Sequence, residues 1–193
     1  MADYVVGITG ASGSIYGIRL IQELARAQQT VHVVVTSAGK EVMEEEIGMT
    51  DIRQILASRK IKGLIKVWKL NDFSAPFMSG SNPPEAVIVI PCSMGKLAAI
   101  ANGMSDNLLE RTSDVALKEK KPLILVVRET PLSLIHIENM LKAARAGAHM
   151  VPAMPAFYHH PETIDDIVNF VVGKVLNLLS VRHTLFTPWG ETG

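Results

Sequence analysis

Cysteine is almost absent from the 193-residue sequence, which contains a single one, Cys92. One thiol cannot form a disulfide within the chain, and no charged and apolar leader segment precedes the first strand pattern. We therefore expect a protein of the reducing cytoplasm. Long apolar runs are missing as well. Because none reaches the roughly 18 residues that a spanning helix needs, we expect a soluble chain without a membrane span.

Net charge is also lacking, because 19 basic residues balance 19 acidic ones. Non-specific nucleic-acid binding depends on a positive field around the protein, so we expect no nucleic-acid partner. A metal site is not expected either. His159 and His160 are adjacent and point in different directions, and no acidic or cysteine partner repeats the pattern.

Apolar residues are plentiful, at 48% of the chain, which is enough for one sizeable core in a single domain spanning 1–193. Apolar runs typical of strands buried on both faces occur at 4–9, 31–36, 86–91, 122–128 and 148–154, with a weaker one near 66–70. Helical patterns occur between and after them, at 14–28, 38–47, 95–120 with a break near Gly103, 132–146 and 161–179. This alternation predicts an α/β protein, a three-layer α/β/α sandwich with a parallel sheet and a flavodoxin-like or Rossmann-like fold.

The first predicted strand runs into a glycine- and serine-rich turn within VVGITGASGSIYG, residues 5–17. The turn lacks both the dinucleotide pattern G-x-G-x-x-G and the lysine of a Walker loop. Its place before a helix still favours a bound phosphate over a tight turn without a ligand. The second strand ends in Thr36 and Ser37 rather than in the acidic residue of NAD sites, which favours a mononucleotide.

Two further strand ends carry candidate site residues. PCSMGKLA, residues 91–98, places Ser93 as a helix N-cap, and capping alone is its alternative interpretation. Arg128 and Glu129 follow another buried strand, where charges favour a functional role. The loop 71–85 carries aromatic residues over an unusual length, and for it we favour function over disorder.

Four blocks of the sequence together resemble one family. They are TGASG, PCSMGKLAAIANG, ERTSDVALKEKKPLILVVRETPLSLIHIENMLK and MPAFYHHPETIDDIVNFVVGKVLN. They are similar to the flavin prenyltransferases of the UbiX and phenylacrylic acid decarboxylase-associated family, over nearly the whole chain and least at 45–70. The resemblance implies a metal-independent transferase that moves a dimethylallyl group from dimethylallyl phosphate to reduced FMN. It also implies delivery of prenylated FMN to a UbiD-type decarboxylase, and a homo-oligomer, a dodecamer with active sites at subunit interfaces.

The resemblance assigns roles to individual residues. Flavin contacts are expected from Gly10, Ala11, Ser12, Ser37, Ser93, Met94, Gly95, Lys96 and Arg128. Contacts with the prenyl donor are expected from Arg111, Lys118 and Phe73, with Tyr158 and Lys174 contributed by a neighbouring subunit. Arg111 and Lys118 would stabilise the departing phosphate, and Glu129 would transfer a proton. The C-terminal helix and tail, about 161–193, are expected to pack on a neighbouring subunit.

Two positions depart from the family pattern. Phe73 stands where many members have tryptophan, and Lys174 stands where some have arginine.

The charges at 111–118 also have an interpretation that involves no ligand. The spacing of Arg111, Asp114 and Lys118 puts them on one helical face, which by itself is typical of an ion-paired, solvated surface.

Two other functions fit the same fold. One is an FMN-dependent cysteine decarboxylase of the phosphopantothenoylcysteine decarboxylase type. That family's Pro-Ala-Ser-Ala-Asn-Thr signature corresponds to Pro-Cys-Ser-Met-Gly-Lys at 91–96 here, and its Pro-x-Met-Asn stretch has no match near Met154. The other is a non-enzymatic flavin carrier, which would leave the charged set without a task.

Overall fold

Six parallel strands form one sheet in the computed structural model, which describes residues 2–187 and 189–190. The strands are β1 (Asp3–Ile8), β2 (Thr30–Val35), β3 (Leu64–Trp68), β4 (Ala86–Cys92), β5 (Leu123–Val127) and β6 (His149–Met150). Their order across the sheet is β3-β2-β1-β4-β5-β6. The helices are α1 (Ser14–Arg26), α2 (Ser37–Ile47), α3 (Ile52–Ser58), α4 (Met94–Ala101), α5 (Leu108–Lys118), α6 (Leu134–Arg145) and α7 (Ile164–Leu178), with a 3-10 turn at Pro76–Met78.

Both faces of the sheet are covered, as the unbroken apolar runs predict. Neighbouring residues of β1 point to opposite faces, so Val5 and Val6 are both fully buried, in two different apolar clusters. Helices α1, α3 and α7 contribute to the cluster around Val6, whereas α4, α5 and α6 contribute to the cluster around Val5. The predicted three-layer α/β/α sandwich is therefore confirmed.

The break predicted near Gly103 within the helical segment at 95–120 is confirmed, because α4 and α5 are separated by a turn in which Gly103 has a φ of 71°, a left-handed conformation that favours glycine. Other predicted elements needed correction. The strand predicted at 148–154 is reduced to the two residues of β6. Helix α3 was not predicted, because its seven residues carry only three buried positions, too few to establish a period.

The last helix also starts later than predicted. Thr163 caps it, since its hydroxyl oxygen accepts the Asp166 N–H at 3.2 Å, and Pro161 lies before the helix. Helix α7 packs against α1 of its own chain, where Arg19 pairs with Asp165 at 2.9 Å and hydrogen-bonds the Asn169 side chain at 2.5 Å. Packing of 161–193 on a neighbouring subunit stays a prediction, and the part at 188 and 191–193 lies outside the described residues.

Helices long and apolar enough to cross a membrane do not occur in the described part of the chain.

Candidate active site

The chain reverses direction across the sheet between β1 and β4. From β1 it proceeds outward to β2 and β3, and then returns to form β4 on the other side of β1. The loops that follow β1 and β4 therefore diverge from neighbouring strands, and the crevice between them is where open α/β sheets bind ligands. The TGASG turn and the PCSMG turn lie at this crevice.

Thr9 ties the two turns together. Its hydroxyl donates to the carbonyl oxygen of Pro91 at 2.7 Å and accepts the N–H of Ser93 at 2.8 Å. Thr9 is only 1% exposed, so both hydrogen bonds are shielded from water. Sequence reasoning did not select this residue, because a threonine at a strand end has no distinctive spacing.

Close packing brings the start of α2 against the TGASG turn. A Cβ added at Gly10 would lie 2.5 Å from the Cβ of Ala38, and one added at Gly39 would lie 2.7 Å from the carbonyl oxygen of Ile8. Both contacts are shorter than a side chain allows, so glycine is required at these positions. The structure thus places Ser37, the first residue of α2, beside Gly10, as the predicted flavin site requires.

Main-chain donors without partners collect at the crevice. Within the described residues, no hydrogen bond is made by the N–H groups at 10–12, at 37–38 or at 94–95. The last two pairs belong to the first turns of α2 and α4, where N–H groups have no partner in the helix and the helix dipole is positive. These donors suit a phosphate or the carbonyl oxygens of a flavin. The residues present therefore fit a bound FMN.

The PCSMG turn presents its backbone rather than its side chains. Ser93 caps α4, since its hydroxyl oxygen accepts the Lys96 N–H at 3.4 Å. The Met94 side chain is buried in the core, and its main-chain N–H makes no hydrogen bond within the described residues. A Cβ on Gly95 would meet nothing within 4 Å, which leaves room for a close approach.

Arg128 connects the end of β5 to this site. Its N–H donates to the Cys92 carbonyl oxygen at 3.3 Å, and its Nε donates to the Ser12 carbonyl oxygen at 3.2 Å. No carboxylate within the described residues pairs with its guanidinium group. Burial raises the pKa of the nearby Tyr16 hydroxyl, and the positive charge of Arg128 partly opposes that shift.

A cleft of about 790 Å³ lies beside Arg128 and the TGASG turn. Its polar lining residues include Ser12, Glu46, Arg59 and Arg128. Its aliphatic lining residues are Ile15, Ile47, Ala153, Ile164, Ile167 and Val168. A cleft lined by both charged and aliphatic side chains can accept a ligand that has polar and apolar parts.

The N-terminus of α1 already holds an anion, the carboxylate of Glu46. Its oxygens accept the N–H of Gly13 at 2.7 Å, the N–H of Ser14 at 2.9 Å and the hydroxyl of Ser14 at 2.5 Å. Gly13 has no side chain with which to cap the helix, and Glu46 supplies that function from α2. Burial disfavours its charge, but these hydrogen bonds outweigh burial and hold the pKa of Glu46 below its ordinary value.

Lys96 does not direct its charge at the flavin crevice. Its ammonium group pairs with the carboxylate of Glu110 in the first turn of α5. Its main-chain N–H is likewise occupied, by the Ser93 cap. The place of Lys96 in the flavin-contacting turn stays a prediction, while the charge of its side chain is paired within the chain.

The charges expected to bind the prenyl phosphate are also paired within the chain. Arg111 pairs with Asp114 at 2.9 Å, and Lys118 pairs with Glu119 at 3.2 Å. The loop 71–85 reaches this face, since a Cβ on Gly80 would lie 2.7 Å from the Lys118 Nζ. Phe73, on the same loop, is 44% exposed.

Glu129 lies directly after Arg128 at the end of β5 and is half-buried. One oxygen of its carboxylate accepts the N–H of Thr130 at 3.0 Å. The other oxygen has no hydrogen bond within the described residues, so Glu129 retains an acceptor that could take a proton.

Tyr158 and Lys174 lie together in a separate aromatic cluster. The Tyr158 ring is 5.9 Å from that of Phe170, and the Lys174 Nζ lies 5.3 Å from the same ring. The described contacts do not join this cluster to Arg111 or Lys118. The two residues are thus near each other, but their contribution to a neighbouring subunit's site stays a prediction.

The comparisons with known proteins agree with this geometry. The Flavoprotein family profile matches residues 2–176. The flavin prenyltransferase UbiX of Alkalihalophilus pseudofirmus is 52% identical over 190 residues, which cover 96% of this chain and 95% of that protein. The chain belongs to the flavin prenyltransferase family.

Solved structures of other family members superpose over the whole chain. AnUbiX (PadA1), crystallised with FMN and dimethylallyl pyrophosphate, has a TM-score of 0.91 at 38% identity and covers 100% of this chain and 99% of its own. A dodecameric FMN-dependent UbiX-like decarboxylase from Escherichia coli O157:H7 has a TM-score of 0.89 at 42% identity, covering 98% of this chain and 100% of its own.

Other chemistries find little support in this flavin prenyltransferase family member. Cys92 is fully buried, and burial raises the pKa of its thiol to about 12, so it is a core residue rather than a nucleophile. The described residues contain no group of three or more side chains arranged to hold a metal ion.

Proposed function

We infer that this protein binds reduced FMN and transfers a dimethylallyl group to it, giving prenylated FMN. The observation that carries this inference is the set of unpaired main-chain donors beside Arg128, at the crevice between β1 and β4. When bound, the reduced flavin supplies the nucleophile. Membership of the flavin prenyltransferase family supports the prenyl group as the electrophile.

The residues on the flavin side of the site would hold the flavin in position and take no part in bond formation. Gly10, Ala11, Ser12 and Ser37 would contact the flavin through the TGASG turn and the start of α2. Ser93, Met94, Gly95 and Arg128 would contact it from the other side of the crevice. The Thr9 hydrogen bonds hold the two sides at a fixed separation, so ordering costs little when the ligand binds.

The donor side must stabilise two charges that develop together. Breaking the allylic C–O bond leaves a cation on carbon and negative charge on the departing phosphate. We propose that Arg111 and Lys118 receive the phosphate, exchanging the carboxylates of Asp114 and Glu119 for it. Tyr158 and Lys174 of a neighbouring subunit would add further contacts, and the face of Phe73 would stabilise the cation.

Proton transfer is assigned to Glu129. It follows Arg128 directly at the end of β5, and one of its carboxylate oxygens has no hydrogen bond within the described residues. Transfer to the flavin releases a proton, so a nearby base is required. We propose that Glu129 accepts this proton or passes it to the released phosphate.

Assembly into a homo-oligomer is proposed from exposed apolar surface. Helix α6 exposes Leu134, Ile135, Ile137 and Leu141, each by about half or more of its area. Such a face is unusual for a monomer and is typical of a subunit interface. Because the related Escherichia coli protein is dodecameric, we propose the same assembly here. We further propose a cytoplasmic location and delivery of the product to a UbiD-type decarboxylase.

An anaerobic conversion assay tests the function. Purified protein is given reduced FMN with dimethylallyl phosphate, and in a parallel reaction with dimethylallyl pyrophosphate. We expect mass spectrometry to detect flavin heavier by one prenyl unit, and the faster reaction identifies the donor. Unmodified flavin in both reactions, with FMN bound to folded protein, would exclude the transferase function.

A second assay, in which a cysteine-containing substrate replaces the prenyl donor, separates the two alternatives. A cysteine decarboxylase would release carbon dioxide from a cysteine-containing substrate and leave the flavin mass unchanged. A flavin carrier would bind FMN and modify neither compound.

A further inference from the structure

Lys96 and Glu110 form a buried ion pair between two helices. The Lys96 side chain is 16% exposed and that of Glu110 is 4% exposed. Removing two charges from water is costly, and apolar residues of similar size would often be as stable. A pair this well buried therefore suggests a function other than general stability.

The Glu110 carboxylate connects three segments. One oxygen accepts from the Lys96 ammonium group in α4, and the other accepts the Asp106 N–H at 3.0 Å, in the turn between the helices. The third segment is α5 itself, whose N-cap Asn107 accepts the Glu110 N–H at 3.1 Å. Burial disfavours the charge of Glu110, but these hydrogen bonds outweigh it and lower its pKa.

Each end of the pair is adjacent to one half of the proposed site. Lys96 belongs to the first turn of α4, whose preceding residues Ser93, Met94 and Gly95 are proposed to contact the flavin. Glu110 is followed immediately by Arg111, which is proposed to contact the prenyl phosphate. The pair thus links the turn at 93–96 to the residue that precedes Arg111.

We propose that Lys96 and Glu110 are positioning residues that couple FMN binding to prenyl-donor binding. FMN fixes the turn at 93–96, the ion pair transmits that position to the first turn of α5, and Arg111 is held where the phosphate binds. The proposal rests on the proposed function. It assigns to Lys96 a role through Glu110 and Arg111 instead of a charge contact with the flavin.

The test measures binding coupling in the full-length protein. The dissociation constant of dimethylallyl phosphate is measured with and without oxidised FMN, which keeps the reaction from occurring. In the wild type we expect FMN to tighten donor binding about tenfold, within the usual range of such couplings. In Lys96→Met/Glu110→Gln, which removes both charges and retains an acceptor for the Asp106 N–H, we expect the coupling factor to fall to about 2 or less.

Control variants separate positioning from a general loss of structure. Lys121→Met/Glu85→Gln removes an exposed pair at 3.4 Å and should leave the coupling unchanged. Lys96→Arg keeps the charge and should retain most of the coupling, whereas Lys96→Gln should lose it. These single variants decide the question if the double variant does not fold.

The outcomes distinguish this inference from the proposed function. A wild-type protein that binds neither dimethylallyl phosphate nor dimethylallyl pyrophosphate, with or without FMN, contradicts the proposed function. A wild type that binds the donor without coupling, or a folded double variant that retains the full coupling factor, overturns the positioning role alone.

Discussion

The flavin crevice and the charged face of α5 are built differently. At the crevice, Thr9 is almost fully buried, and its hydrogen bonds fix two turns to each other. On the face of α5, Lys118 is 55% exposed and is paired only with its neighbour Glu119. The two turns of the crevice are therefore held together by hydrogen bonds within this chain, whereas the cations must exchange their partners before they can bind a phosphate.

This difference suggests that the two regions contribute to ligand affinity in different ways. Main-chain donors at the crevice need no rearrangement when a ligand binds, so their contribution to affinity depends on the fold. The contribution of the cations depends on ligand charge and on the competition from carboxylates, which water and salt weaken. Substitutions that remove buried hydrogen bonds at the crevice should accordingly have larger effects than substitutions that remove an exposed charge.

The largest effect is expected from Thr9→Val, a substitution of similar shape. It removes the hydroxyl and leaves the Pro91 carbonyl and the Ser93 N–H unpaired in a buried place, which costs about 1–3 kcal/mol. We expect FMN to bind about tenfold more weakly, which corresponds to ~1.4 kcal/mol. Fluorescence titration of FMN measures the change.

Thr112→Val is the matched control for this substitution. Thr112 is equally buried, but its hydroxyl donates only to the Leu108 carbonyl oxygen of its own helix, at 2.6 Å. FMN affinity should stay within about twofold of wild type. Equal losses in both variants would mean that the Thr9 bridge has no special part in flavin binding.

The same two regions explain how much of the molecule was predictable from sequence. The sheet was predictable because strands buried on both faces read as continuous apolar runs, as β1 and β4 do. The position of the crevice was predictable because the carboxyl ends of parallel strands meet at one edge of the sheet, where ligands bind. Ser93 was expected to cap α4 and does so.

Contacts between distant parts of the chain were not predictable. Glu46 caps α1 from the far end of α2, and Glu110 pairs with Lys96 across a turn. Neither pairing has a fixed spacing in sequence, because each depends on how two helices meet. Such contacts decide whether the side chain of a charged residue faces a ligand, which explains why the ion pair of Lys96 could not be predicted from its place in the turn at 93–96.

A smaller effect, on the donor alone, is expected from Lys118→Ala. Lys118 is largely exposed, so its loss removes one partly screened phosphate contact. We expect the KM for dimethylallyl phosphate to rise about fivefold, or ~1 kcal/mol, and FMN affinity to stay unchanged. Initial rates at saturating reduced FMN measure this.

Lys120→Ala serves as the control, because that exposed lysine lies beyond the end of α5. The KM of this variant for dimethylallyl phosphate should match that of the wild type. If Lys118→Ala weakened FMN and donor binding equally, the two regions would not be separable in the way the structure indicates.

The smallest effect is expected where the crevice itself relies on an exposed charge, at Glu46. The pKa of Glu46 is lowered in the folded state, so its carboxylate adds stability at neutral pH, which is lost as pH falls through that lowered pKa. The wild type should therefore have a slightly larger free energy of unfolding than Glu46→Gln at pH 7. This difference should disappear at pH values below 4.5, the ordinary pKa of a glutamate side chain. Urea unfolding midpoints from pH 7 to about pH 3.5, at one protein concentration, measure this difference in stability.

Glu45→Gln is the control, because it removes a neighbouring exposed carboxylate that makes no hydrogen bond within the described residues. The difference in stability between this variant and the wild type should not vary with pH in this way. A difference for Glu46→Gln that stayed constant with pH would mean that the α1 N-terminus gains nothing from the charge of Glu46, and that α1 is stabilised by packing alone.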